Sequence, residues 1–103
     1  MEARQARLGR LFVLRFQHGE DLVAEILAFA RQEGTRAAWL QVLGALDQGQ
    51  LVVGPQVAQL PPVPVWQEFG GGWELLGVGN LFWEGDQPKL HLHGALGRGT
   101  QTL

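Results

Sequence analysis

The chain has 103 residues, 46% of them hydrophobic and 17% charged, with a formal net charge of −2. That length carries one hydrophobic core, so residues 1–103 are read as a single domain, too apolar to be disordered. Ten acidic residues against eight basic ones exert no overall pull on nucleic acid or an anionic membrane, and the absence of cysteine excludes disulfides, thiol catalysis and cysteine-bound metal.

Apolar runs such as Leu11–Leu14 and Val63–Trp66 fall far short of the roughly 20 residues that span a bilayer. No apolar signal segment follows the first arginines, and the expectation is a cytoplasmic protein without a membrane partner. Seven arginines against the single Lys89, one asparagine (Asn80) and no serine or tyrosine suit a thermophile with a GC-rich genome.

Residues 1–10 form a basic segment carrying Arg4, Arg7 and Arg10. Leu11–Phe16 then reads as a strand of large apolar side chains. Gly19-Glu20-Asp21 is a turn into a helix, its acidic pair placed where the helix dipole favours negative charge. Leu22, Ile26, Phe29 and Ala30 recur at helical spacing up to Glu33, and Gly34 closes the helix. Ala37–Leu43 is a strand that Gly44 breaks. Gln50–Val53 is a second, following an Asp47-Gln48-Gly49 turn. Pro61, Pro62 and Pro64 mark an irregular loop, and Gly70-Gly71-Gly72 a flexible link into a Trp73–Val78 strand. Leu81–Trp83 runs into a Glu84-Gly85-Asp86 turn, and Lys89–Leu96 is the last strand. Short turns between strands predict an α+β fold: a mostly antiparallel sheet with one main helix packed on one face.

The sharpest chemical feature is His91-Leu92-His93. On a strand, residues i and i+2 project from the same face, so both imidazoles stand together. Such a pair suits a divalent metal, zinc foremost, once a third ligand joins it. His18 is the only other histidine, and Glu74 and Glu84 are the carboxylate candidates. The alternative is two surface histidines with no ligand. Without serine or cysteine there is no nucleophilic triad, and no H-E-x-x-H motif supports metal-assisted hydrolysis. Gly77-Val78-Gly79 opens no helix and cradles no phosphate; these glycines read as sites of close backbone approach. The four tryptophans, Trp39, Trp66, Trp73 and Trp83, read as core or subunit-interface anchors before base-stacking platforms.

Taken in order, Arg15, Gly19-Glu20-Asp21-Leu22, the helix with Ile26 and Ala30, and Gly44-Ala45-Leu46 resemble the start of the plant- and prokaryote-conserved (PPC) domain. Gly72-Trp73-Glu74-Leu75-Leu76, Gly79-Asn80 and the stretch from Gly85 through Pro88 to His91-Leu92-His93 are similar to its later segments, so the resemblance covers Leu11 to Gly97. It implies a compact domain that assembles as a homotrimer. Prokaryotic members stand alone, whereas plant members attach the domain to AT-hook DNA-binding segments; no Arg-Gly-Arg-Pro hook occurs here. The family's metal site implies His91 and His93 as ligands together with a histidine from a later Gly-Gly-His segment. The sequence stops at Leu103, where that segment would begin, which leaves the third ligand and a C-terminal strand unassigned.

The leading expectation is therefore a self-associating, trimeric binding or regulatory module, linked to DNA by family and with no enzymatic activity assigned. The alternative is a metal-binding protein or metal-dependent enzyme using His91 and His93, with His18 or Glu74 as an additional ligand. Direct DNA contact through Arg4, Arg7 and Arg10 is the third reading. For assembly, Trp73–Val78 and Lys89–Leu96 are expected to line the interface.

Overall fold

Asp21 starts the helix as the sequence predicts. Its carboxylate accepts a hydrogen bond from the Ala24 N–H at 2.8 Å, capping α1 (Leu22–Glu33). At the other end Gly34 turns to φ +65°, and the N–H groups of Gly34 and Thr35 return to the carbonyls of Arg31 and Ala30. A side chain would be strained at that φ, which is why glycine closes the last turn. Ile26 and Ala30, four residues apart, put one face of α1 into the core.

A computed structural model describes residues 1–103 and places four strands after the helix: β1 (Ala38–Pro55), β2 (Pro64–Glu84), β3 (Gln87–Arg98) and the short β4 (Gln101–Thr102). They form one antiparallel sheet in the order β1-β2-β3-β4. The fold is α+β, one helix on a curled four-stranded sheet.

Three expectations are corrected. Gly44 does not break a strand: β1 runs through it, and through the expected Asp47-Gln48-Gly49 turn, to Pro55. Gly70-Gly71-Gly72 is not a link but part of β2. The register shifts between Leu46 and Gln48, opposite Gly71 and Gly72 at φ +89° and +85°. Glycine absorbs the shift as a bulge, so the strands bend where the sequence suggested that they end. Beyond the bulge β1 and β2 continue as a two-stranded arm, closed by the proline-bearing loop at 56–63.

The third correction concerns Leu11–Phe16, which joins no strand. It lies instead along the helix: the Phe12 and Phe29 rings meet edge to face at 4.9 Å, and Phe16 packs against the cluster of Ile26, Ala30 and Leu81. Apolar packing holds the segment, and no neighbouring strand answers its main chain.

The two sheet faces differ sharply. Towards the helix, Leu75, Leu81 and Leu96 are buried, forming two small clusters, one with Ile26 and Ala30 and one around Trp73. On the other face of β1 and β2, Trp39 is 68% exposed, Leu43 83% and Leu76 68%. No element of the chain covers that face. The chain exposes 8592 Å² for its 11.3 kDa, whereas a compact folded monomer of that mass exposes about 5,700 Å²; the exposed segments 1–15 and 55–68 contribute to the excess along with this face.

Candidate metal centre

The Gly85-Asp86 turn sets the site. It pairs Glu84 with Gln87, and counting outward along the antiparallel ladder brings Asn80 opposite His91 and Val78 opposite His93. Directly paired residues project from the same face. His91 and His93 therefore stand on the face away from the helix, both exposed, while Leu92 between them is half-buried on the helix side.

The two rings meet. Their Nε2 atoms are 2.9 Å apart and the ring centroids 4.8 Å apart, at 51° between planes. Two chemistries fit such an approach. One neutral imidazole can donate its N–H to the bare nitrogen of the other. Alternatively both nitrogens can turn lone pairs to one cation: ligands at about 2.0–2.1 Å from zinc lie roughly 3.3 Å apart in a tetrahedral site, within a small side-chain adjustment of the observed separation. When both rings are protonated, neither arrangement survives.

Glycine brings the strands close beneath this pair. A Cβ on Gly79 would stand 2.6 Å from the His91 carbonyl oxygen, and one on Gly77 would stand 3.0 Å from that of His93. The close approach read from Gly77 and Gly79 in the sequence is thus located directly behind the histidines.

The other expected ligands are not gathered here. Glu74 shares the face but pairs with Gly97, four residues along from the Val78–His93 pair, a separation of about 13 Å. Glu84 lies the same number of residues beyond the Asn80–His91 pair, again about 13 Å away. His18 sits in the exposed turn before the helix. No group of three or more His, Asp or Glu side chains comes together to hold a metal. The neighbour that sequence reading missed is Asn80, whose amide shares the face with His91. Counting back from the Glu84-Gly85-Asp86 turn would have found it.

Of the basic residues proposed for DNA, Arg10 is engaged within the chain. It pairs with the Glu33 carboxylate at 3.0 Å, donates to the Glu33 carbonyl at 2.9 Å and stacks over Phe12. Arg4 and Arg7 are exposed and make no ion pair.

Fold and site together describe a small α+β domain with a histidine pair on an uncovered sheet face. The chain belongs to the Plants and Prokaryotes Conserved (PCC) domain family, whose sequence profile matches residues 3–103. Among solved structures, a metal-containing protein from Archaeoglobus fulgidus shares the fold with a TM-score of 0.85 and 26% sequence identity, over 100% of this chain and 72% of that one. No curated protein sequence matches the chain. No helix is long and apolar enough to cross a membrane.

Proposed function

We propose that this PCC domain is a self-associating module that binds a divalent metal ion through His91 and His93. The observation that carries the metal reading is the 2.9 Å approach of the two Nε2 atoms on an exposed strand face. The likeness to a metal-containing protein of the same fold supports it. The donor set fits a borderline metal such as zinc: two imidazoles supply nitrogen ligands, and the Asn80 amide beside them can orient a ring or a bound water. Two protein nitrogens leave coordination positions open, so a bound ion could act as a Lewis acid there. No side chain within the site is a placed nucleophile or base, and the reading assigns binding rather than a reaction.

Self-association rests on the uncovered face, and the count of three copies is what the resemblance to the PPC domain implies. Trp39, Leu43 and Leu76 share the histidine face, and an apolar patch of that kind marks an interface. The exposed area supports burial against further copies.

Zinc analysis of untagged protein, equilibrated with the metal and then dialysed, tests the site. Wild type retains zinc, whereas His91→Ala and His93→Ala lose it. Equal retention by the double variant, or none by wild type, contradicts the metal reading.

A further inference from the structure

His91 and His93 share a face but not their surroundings. Across the ladder His91 pairs with Asn80 and His93 with Val78. One strand further, Asn80 pairs with Trp39 and Val78 with Gln41. Two rows therefore cross the sheet, Trp39–Asn80–His91 and Gln41–Val78–His93. Side chains directly paired in this way stand with their Cβ atoms about 4.5–5.5 Å apart, close enough for an amide to reach an imidazole. His91 has an amide beside it, and His93 a hydrocarbon.

That difference bears on the protons. A neutral imidazole carries its proton on one nitrogen and a lone pair on the other. With the two Nε2 atoms turned towards each other at 2.9 Å, an ion between them needs both Nε2 lone pairs, so both protons must sit on Nδ1. A group that accepts from Nδ1–H selects that tautomer. The neighbours of His91 on this face of β2 and β3 include Asn80 across the ladder and Lys89 along the strand. The lysine ammonium only donates, and so does the indole of Trp39 at the end of the row; the Asn80 side-chain carbonyl can accept. Val78, beside His93, offers nothing.

We propose that Asn80 is a positioning residue for the metal site: its side-chain carbonyl accepts the His91 Nδ1–H and holds that ring ready to ligate. This deepens the metal reading and rests on it. The two histidines then have unequal parts. In the metal-free protein His91 keeps its proton on Nδ1, so its bare Nε2 accepts a hydrogen bond from the Nε2–H of His93. When an ion arrives, His91 binds as it stands, and only His93 moves its proton to Nδ1.

Two variants test this, Asn80→Val and Asn80→Asp. Valine suits an exposed strand position and repeats the neighbour that His93 already has; aspartate keeps an accepting oxygen. Imidazole nitrogen shifts of metal-free, nitrogen-15-labelled protein at about pH 8, where ordinary imidazoles are neutral, read the tautomers. Competition with a chelator reads zinc affinity. In wild type, His91 is expected to carry its proton on Nδ1 and His93 on Nε2. Asn80→Val should lose that preference at His91 and bind zinc about 10–100-fold more weakly, and Asn80→Asp should restore both. An unchanged His91 tautomer in Asn80→Val overturns the proposal even if zinc weakens, since Asn80 would then act as a direct ligand or through the fold. Zinc bound equally by wild type and Asn80→Val overturns the role of Asn80 and leaves the metal reading standing. A wild-type protein that binds no zinc overturns both.

Discussion

The two faces of the central sheet are built from the same three strands and follow opposite rules. On the helix side, alternate residues of β2 from Trp73 to Leu81 are buried, leucine and tryptophan interleaved with Gly77 and Gly79. On the far side the intervening residues of that stretch, Glu74 to Asn80, are exposed, although Leu76 and Val78 are as apolar as their covered neighbours. Period-two alternation therefore does not cleanly separate apolar from polar here, because Leu76 and Val78 stand among Glu74, Asn80 and the histidines on the far face. It separates a face the chain covers from one it leaves exposed. The histidine pair stands on the second.

Substitutions on the covered face should have the largest effect. Leu81 is buried between Ile26 and Ala30, and Leu81→Ala is expected to cost about 2–5 kcal/mol in denaturant unfolding, through lost burial and the cavity left behind. Gly79→Ala attacks the same layer from within. Its methyl group meets the His91 carbonyl, so β3 must shift, at a cost of about 1–3 kcal/mol together with weaker zinc retention. Removing the helix cap tests the cover itself: Asp21→Ala should cost about 1 kcal/mol, read as a lower midpoint with unchanged slope. On the bare face, His93→Ala should change the unfolding of metal-free protein by no more than about 0.5 kcal/mol while abolishing zinc retention. If Leu81→Ala and His93→Ala cost the metal-free chain alike, the distinction between the faces fails.

The helix was legible because every local signal agreed: the Asp21 cap, the spacing of Leu22, Ile26 and Ala30, and Gly34 at the close. The antiparallel sheet followed from the turns. Strand ends were misread at Gly44 and at Gly70-Gly71-Gly72, since glycine permits either a turn or a bulge and only the partner strand decides between them. Leu11–Phe16 has strand composition, but a strand exists only where another answers it. At the site, the shared face of His91 and His93 could be read from their spacing. The remoteness of Glu74 and Glu84 could not be read from spacing alone; it needed the register that the Gly85 turn imposes.

The account's central claim is that the uncovered face is an interface between copies. Sedimentation equilibrium of the untagged wild-type protein, over a range of micromolar concentrations, tests it most directly. The account predicts a mass three times 11.3 kDa, held as the protein is diluted until assembly gives way. A mass of 11.3 kDa that does not rise with concentration would contradict it, leaving Trp39, Leu43 and Leu76 exposed to solvent on a monomer.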